Sequence, residues 1–279
     1  MQGREKKHTP PDSTLDELFA QSIRERKSEK FIEAVNFVAK LRDYAPYNNM
    51  LVYLQRPTAT FWATVRDWRD RFERSIKEDA IPIIMLQPMG PIMLVYDVAD
   101  TDGPELPERY AEAFDVRGDF DGLWLTKTIE NCERAHITVK IKSLGMLHAG
   151  TAIRFGTSNS AQLAIEIKEE LDAPARYATL CHELAHIFLG HLGGDNDGNW
   201  PSRWGLRRTK KELEAEATAY LVCKRAGLAT TSADYLAGYL ENPNDLQGIS
   251  VDMIMKVSGH IERMGREAVQ PKKKRTKET

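Results

Sequence analysis

The stretch CHELAHIFLGHLGGD, Cys181–Asp195, contains the pattern His-Glu-x-x-His within an apolar sequence that is typical of a buried helix. Residues four apart lie on one face of a helix, so His182 and His186 point the same way and can reach one metal ion through imidazole nitrogens. Two histidines and a glutamate on a buried helix are costly unless a partner satisfies them. The stretch therefore predicts a zinc site; the alternative is a pair of hydrogen-bonded core histidines.

Glu183 lies one step around the predicted helix from His182, beside the ion rather than among its ligands. A carboxylate in this place can hold a water molecule that zinc has activated and can take its proton. We therefore predict Glu183 as the general base, with one Zn²⁺ per chain as the cofactor. Cys181 faces away from the ligands and is expected to pack in the core rather than bind metal.

A zinc site needs a third protein ligand, and the helical stretch RTKKELEAEATAYLVCKRAGL, residues 208–228, supplies acidic candidates. Glu212 and Glu216 are four apart on one face, so one can bind zinc while the other hydrogen-bonds a ligating histidine. Glu214 points elsewhere and is expected to be exposed to solvent. The alternative for all three is an ordinary charged and solvated helix face.

His191 is a minor candidate for the third ligand. Metzincin proteases extend the motif to His-Glu-x-x-His-x-x-Gly-x-x-His, but here the third histidine comes one residue too early and Leu189 replaces the glycine. The group that would stabilise an oxyanion is not assigned, although Tyr220 and His191 are both available.

Composition limits the classes of protein that the chain can belong to. It has 279 residues, of which 42% are hydrophobic and 29% are charged, and its formal net charge is −2. No overall charge excess indicates nucleic acid or an anionic membrane, and no apolar run is long enough to span a bilayer. The start of the chain has no apolar core typical of a secretory signal, and its three cysteines are far apart. We expect a cytoplasmic protein with no membrane partner.

The pattern predicts an α+β chain of two domains, residues 14–102 and 126–265, separated by a boundary region at 103–125 that is rich in Gly, Pro and Asp. Residues 1–13 and the basic tail 266–279 are expected to be disordered. In the first domain we predict amphipathic helices followed by a small antiparallel sheet, whose two apolar runs are divided by residues 88–91. In the second we predict strands at 136–144, 150–156 and 162–170, then a helix from near Pro174 to Gly193-Gly194, and then the glutamate-bearing helix.

Aromatic residues alternate with arginines in the N-terminal half, which is the combination of stacking surfaces and cations that single-stranded nucleic acid requires. The candidate contacts are Arg56, Trp62, Arg66, Trp68 and Arg69. In the alternative interpretation the two tryptophans belong to the core, and the arginines form a solvated face with neighbouring acidic residues that weaken any phosphate-binding field.

HELAH at 182–186, followed by ELEAEATAYLVCKRAGL at 212–228, resembles the ImmA/IrrE group of metallopeptidase domains, in the version found with ArdC-type antirestriction proteins. The resemblance implies a gluzincin-like domain in which a small sheet accompanies the two helices. It also implies that Glu212 is the zinc ligand, that Glu216 hydrogen-bonds a ligand from behind, and that Glu183 is the general base. Glu216 as the ligand is the alternative register.

The stretch YAPYNNMLVYLQRPTATFWATVRDW, residues 44–68, is similar to the N-terminal domain of ArdC, and this resemblance implies binding of single-stranded DNA. The chain departs from that pattern at 72–75, where a glycine–arginine pair is usual, and at Ala45, which replaces a serine.

These patterns together predict a zinc-dependent endopeptidase that acts on an unidentified protein or peptide. The peptidase is coupled to a module like those that bind single-stranded DNA, with a role in antirestriction or in regulating stress responses or mobile elements. The alternative is a DNA-binding antirestriction protein whose metal site is structural or vestigial. A third interpretation is a regulator that cleaves a repressor after sensing single-stranded DNA.

Overall fold

The computed structural model describes residues 14–22, 27–87, 90, 92–106, 120–144, 149–156, 161–195, 198–228, 246 and 248–268. The segment 1–13 and residues 269–279 of the tail, both expected to be disordered, lie outside the described residues. So do residues 107–119, the middle of the expected boundary region.

The chain is a mixed α+β structure, as its sequence pattern predicts. Its helices are α1 (Thr14–Ser22), α2 (Lys27–Lys40), α3 (Pro46–Gln55), α4 (Val65–Phe72), α5 (Leu123–Arg134), α6 (Ala173–Phe188), α7 (Arg208–Arg225) and α8 (Val251–Arg266). Its strands are β1 (Trp62–Thr64), β2 (Ser75–Ile76), β3 (Ile83–Met85), β4 (Met93–Asp97), β5 (Thr101–Asp102), β6 (Ile137–Lys142), β7 (Gly150–Phe155) and β8 (Gln162–Lys168).

The predicted N-terminal sheet is present: β3 and β4 pair antiparallel, and β1 completes the order β1-β4-β3. Strand β3 is at the edge, yet its backbone groups are satisfied by carboxamides from α3. Gln55 bonds both the N–H and the carbonyl of Ile84 at 2.9 and 2.8 Å. Asn48 does the same for Leu86 at 3.0 and 2.9 Å. The two side chains thus take the place of a further strand and protect this edge from pairing.

The second sheet contains all three strands predicted for the C-terminal half, in the order β6-β8-β7. Strand β6 runs parallel to the central strand β8, and β7 runs antiparallel to it with Ala152 opposite Ile165. Ile137, Ile165 and Ile167 are buried beneath the helices. Strand β7 is an edge strand that packs along α6, and this places it beside the histidine-bearing helix.

Helix α6 begins where the sequence predicts and ends earlier. The Asp172 carboxylate accepts a hydrogen bond from the Ala175 N–H at 2.9 Å and caps the first turn. The predicted end at Gly193-Gly194 is wrong, because the helix already stops at Phe188. Gly190 adopts a left-handed conformation with φ 76°, and its α-carbon lies so close to the Pro201 carbonyl that a side chain would not fit. His191 is therefore beyond the helix, on a turn that folds back toward it.

Helices α7 and α8 contribute to both hydrophobic cores of the described chain. One core joins them to α1–α4 and the first sheet and includes Leu213, Leu221 and Ile254. The other joins them to α5, α6 and the second sheet and includes Ala219 and Ile261. The division of the chain into domains at 14–102 and 126–265 stays a prediction.

Helix α5 was not predicted, and its start lies within the region expected to be a linker. Its buried face includes the polar residues Thr128 and Asn131, which interrupt the apolar pattern of that face in the sequence. Both side chains are buried, and each donates a hydrogen bond to a backbone carbonyl. Arg266 closes α8, so the first residue of the expected tail is helical. Among the described residues, none of the helices has the length and apolar character needed to cross a bilayer.

Candidate metal centre

Helices α6 and α7 bring two imidazoles and a carboxylate together at one point. The Nε2 atoms of His182 and His186 are 3.1 Å apart, and each lies 3.5 Å from Oε2 of Glu212. Ligands that surround zinc tetrahedrally at about 2.1 Å are separated from one another by about 3.4 Å. The three atoms therefore have the spacing of three corners of such a tetrahedron, and this His-His-Glu group can hold a divalent metal ion.

Glu216 lies behind this group rather than in it. Its Oε2 atom is 3.2 Å from Nδ1 of His182, the ring nitrogen that faces away from the other ligands. A carboxylate there accepts the Nδ1–H and leaves Nε2 free to bind metal. The geometry thus favours Glu212 over Glu216 as the third ligand. This is the arrangement that the family resemblance implied.

The contacts among these groups shift the pKa values of His182 and Glu212 in opposite directions. Burial disfavours the charged form of His182, but the hydrogen bonds with Glu212 and Glu216 outweigh it and raise the His182 pKa to about 10. Hydrogen bonds with His182 and His186 hold the pKa of the Glu212 carboxyl well below its usual range. A divalent cation would replace the proton that these acids otherwise retain on the histidine.

Glu183 is buried beside the ligands, on the side where α6 meets β7. Burial raises the pKa of its carboxyl, while the charges of His182 and His186 and a backbone hydrogen bond from Ala152 oppose that rise. A carboxylate with a raised pKa is better matched to proton transfer near neutral pH. Glu183 therefore lies beside the candidate metal ligands, and its role as a base stays a prediction.

Two expectations about nearby residues are corrected. Glu214, expected at the surface, is fully buried, where it bonds His191 at 2.9 Å and forms a two-pronged ion pair with Arg203 at 2.6 Å. His191, a minor ligand candidate, is directed not at the cluster but at the back of His186, with 3.0 Å between their Nδ1 atoms. Tyr220 is not at the cluster either: its hydroxyl bonds Asn36 on α2 at 2.6 Å.

Sequence reasoning missed Glu214 and Arg203, although one signal pointed to the first of them. Beyond Glu216, helix α7 has no polar face: residues 217–223 are ATAYLVC, and all are buried. A helix that is apolar all round is surrounded by protein, so a glutamate at its start is expected to be buried as well.

The candidate nucleic-acid contacts divide into two groups. Trp62 and Trp68 are 2% and 0% exposed, so neither ring is available to a base, and the stacking role predicted for them is wrong. Trp62 stacks on Phe37 instead, and the Trp68 indole N–H donates to the Tyr96 carbonyl at 2.9 Å. The burial agrees with the alternative that placed both tryptophans in the core.

The arginines of that group remain near the surface. Arg66 and Arg69 on α4 have 86% and 72% of their side chains exposed, and both contact Asp70. Arg56 instead forms an ion pair with Asp100 and donates a hydrogen bond to the Ile81 carbonyl.

The described chain is thus an α+β protein with a His-His-Glu cluster that can hold a metal ion. No protein-family model matches it. An uncharacterized protein of Bacillus anthracis is 24% identical over 272 residues, which cover 78% of this chain and 44% of that protein. The chain accordingly spans less than half the length of the curated relative that it matches.

Two solved structures of the antirestriction protein ArdC from the R388 plasmid are similar in fold. The metal-free structure covers 89% of this chain and 98% of its own, with 15% identity and a TM-score of 0.42. The Mn(II)-bound structure covers 91% and 96%, with 14% identity and a TM-score of 0.40. The assignment of the metal centre rests on the distances within this chain, and the resemblance to ImmA/IrrE peptidases stays a prediction.

Proposed function

We propose that the chain is a zinc-dependent endopeptidase whose ion is held by His182, His186 and Glu212. The observation that supports this is the meeting of three ligand atoms, spaced for one tetrahedral ion, with a buried carboxylate one residue from the first ligand. When bound, zinc would polarise a peptide carbonyl and make water a stronger acid. Two imidazoles and one carboxylate are a donor set found in catalytic zinc sites, which keep a position open for substrate.

The protein's own contribution to the reaction is proton transfer by Glu183. Its carboxylate accepts the proton of the attacking water, and the resulting carboxylic acid donates it to the leaving amine. Burial raises the pKa of the Glu183 carboxyl, which suits this role. Its hydrogen bond with Ala152 fixes the side chain against β7.

Strand β7 offers a place for an extended peptide. It is the outer strand of the order β6-β8-β7, and among the described residues no strand pairs with its other side. An extended chain can bind such an edge through backbone hydrogen bonds. Gly150 on this strand approaches Thr179 and Glu183 so closely that a β-carbon would lie 2.5 and 3.4 Å from their side-chain carbons. A peptide added along β7 would therefore pass beside the proposed base.

The test compares Glu183→Gln with Glu170→Gln, a matched control on an exposed residue. Purified zinc-loaded proteins are incubated with a fluorescent library of unstructured peptides, and zinc content is measured in parallel. We expect Glu183→Gln to keep one zinc and to lose roughly 10²–10⁴-fold in cleavage rate, while Glu170→Gln matches the wild type. Equal cleavage by Glu183→Gln would contradict its role as base. Zinc-loaded wild type that cleaves no peptide would contradict the peptidase.

A second candidate is a DNA-binding antirestriction protein in which the metal has a structural role. It is supported by the exposure of Arg66 and Arg69, and by an open depression of about 540 Å³ that is lined by Arg69 and Arg74 together with the acidic Glu73 and Asp102. The similar ArdC structures bear the description antirestriction, and one of them contains Mn(II). In this candidate, zinc could be replaced by another divalent ion without loss of function.

Oligonucleotide titrations separate the two candidates. Fluorescently labelled single- and double-stranded oligonucleotides are titrated with wild type, with the double variant Arg66→Ala/Arg69→Ala, and with Arg134→Ala as a control on exposed α5 surface. Loss of binding in the double variant alone supports the DNA-directed candidate, and its affinity should fall steeply with salt. Absence of binding by wild type at low salt contradicts it.

A further inference from the structure

A buried row of polar side chains lies behind His186, one of the candidate metal ligands. His186 contacts His191 through their Nδ1 atoms at 3.0 Å, and Nε2 of His191 contacts Oε2 of Glu214 at 2.9 Å. Arg203 then bonds both oxygens of Glu214 at 2.6 Å. The side chains of His191 and Glu214 are 1% and 0% exposed, so this row is closed to solvent.

The order of donors and acceptors in this row is determined from its far end. Glu214 accepts hydrogen bonds from two nitrogens of the Arg203 guanidinium at 2.6 Å and from the Ser250 backbone N–H at 2.7 Å, so it is the carboxylate of a bidentate ion pair. An ionised carboxylate only accepts, so Nε2 of His191 carries a hydrogen. Arg203 already balances the charge of Glu214, so His191 needs no positive charge, and its Nδ1 presents a lone pair.

The hydrogen between the two histidines therefore belongs to His186. Since Nδ1 of His191 accepts, Nδ1 of His186 must donate, and the second nitrogen of a neutral His186 ring then has a free lone pair. That nitrogen, Nε2, is the atom that lies 3.1 Å from His182 and 3.5 Å from Glu212. The buried row selects the one tautomer of His186 that can bind metal in the cluster.

We propose that His191, held by Glu214 and Arg203, is a positioning residue that fixes His186 in its metal-binding tautomer and orientation. The inference rests on the metal-binding part of the proposed function and is independent of peptidase activity. It assigns different supports to the two histidine ligands. His182 is held directly by the half-buried Glu216, whereas His186 is held through a second imidazole by a fully buried carboxylate.

The row is too costly to be explained by core packing alone. Taking an ion pair such as Glu214–Arg203 out of water costs several kcal/mol per ion, and apolar residues of similar volume often serve stability equally well. Glu214 also accepts the backbone N–H of Ser250, the residue that caps α8. The row thus anchors the back of His186 to two helices, α7 and α8, rather than to a movable surface side chain.

The experiment measures zinc affinity of the full chain by competition with a fluorescent chelator. His191→Phe keeps a ring but removes the acceptor, and loss of such an outer partner typically weakens metal binding about 10–100-fold. His191→Gln retains both functions, because its amide oxygen can accept from His186 and its amide N–H can donate to Glu214. We expect His191→Gln to bind zinc within about 5-fold of wild type. The exposed His136→Gln is the matched control and should equal wild type.

Equal zinc affinity in His191→Phe and wild type would overturn the proposal, and so would a His191→Gln variant as weak as His191→Phe. If His191→Phe does not fold, as judged by circular dichroism, ¹⁵N NMR of the zinc-loaded wild type decides. It should show zinc on Nε2 of His186 and hydrogen on Nδ1, and the reverse pattern overturns the proposal. Wild type that binds no zinc refutes the metal centre itself. Zinc affinity that depends on His191 without peptide cleavage refutes only the peptidase.

Discussion

Both ends of α7 carry buried charged residues, but the hydrogen bonds of these residues are complete at one end and incomplete at the other. At the C-terminal end, each N–H of the buried Arg225 guanidinium has an acceptor. Its Nε donates to Glu262 at 3.0 Å, and its remaining N–H groups donate to the carbonyls of Val38, Leu41, Arg42 and Tyr44. Val38 lies in the last turn of α2 and the other three residues follow that helix. Arg225 therefore links the C-terminal end of α2 to α7.

At the N-terminal end, the charges are not satisfied in this way. The Glu212 carboxylate lies 3.5 Å from each of two imidazole nitrogens, at the long limit of a hydrogen bond, and burial raises the pKa of the Glu183 carboxyl. Glu214, at the same end, is saturated like Arg225, and through His191 it supports the position of His186. The difference indicates that a saturated buried charge supports structure, whereas converging groups with unused capacity mark where a ligand binds.

The largest effect on stability should follow from substituting Arg225, whose hydrogen bonds saturate the C-terminal end of α7. Arg225→Met leaves several backbone carbonyls and Glu262 without their buried donor, and loss of one partner from a buried pair typically costs about 3–5 kcal/mol. We expect the free energy of unfolding, measured with urea, to fall by that amount. Zinc affinity of the folded protein should be unchanged. Lys224→Met, at a more exposed neighbouring position, is the control, and a loss of equal size there would refute the special role of Arg225.

Substitution of Glu212, at the N-terminal end of α7, should affect zinc affinity more than stability. Glu212 is 29% exposed and its contacts with the histidines are long, so Glu212→Ala should lower the unfolding free energy of the metal-free protein by less than Arg225→Met does. It removes a direct ligand, and zinc affinity should drop by roughly a hundredfold or more, about 3 kcal/mol. Chelator competition and urea unfolding on the same samples measure both quantities. If Glu216→Ala abolishes zinc binding while Glu212→Ala does not, the two glutamates exchange roles.

The sequence predicts the candidate metal site at the N-terminal end of α7 better than it predicts the contacts of Arg225 at the C-terminal end. His182, Glu183 and His186 follow from helical periodicity, because one helix fixes their relative directions whatever surrounds it. Glu212 and Glu216 follow less directly, since their distance from the histidines depends on how α7 packs against α6. The family resemblance supplied the register that periodicity left open.

The missed elements depend on tertiary contacts. Helix α5 buries Thr128 and Asn131, whose polarity suggests an exposed face until their backbone partners are known. Trp62 and Trp68 have the composition of a stacking surface, and only packing against Phe37 and the sheet shows that they form the core. The burial of Glu214 depends on Arg203, from a loop that no local pattern assigns to the same site.

Bound zinc should raise the free energy of unfolding through the N-terminal end of α7. The size of this increase should not depend on Arg225 at the C-terminal end. At a free zinc concentration one hundred times the Kd, linkage adds about 2.7 kcal/mol to the free energy of unfolding, provided that the unfolded chain does not bind the ion. We expect Arg225→Met to gain the same increment as wild type, because sites far apart contribute additively. Glu212→Ala should gain almost none. A zinc increment that survives in Glu212→Ala would show that the ion binds elsewhere.

The smallest effect concerns the contact between β7 and α6 beside Glu183, the proposed base. A β-carbon at Gly150 would lie 2.5 Å from Cγ2 of Thr179, whose branched side chain has little freedom on a helix. Gly150→Ala should therefore push the strand from the helix and cost about 1–3 kcal/mol of stability. Thr179→Ser removes that methyl group, so the double variant should recover much of the loss in a double-mutant cycle. Additive effects of the two changes would mean that Gly150 and Thr179 are not in contact, and that β7 does not lie against α6 beside Glu183.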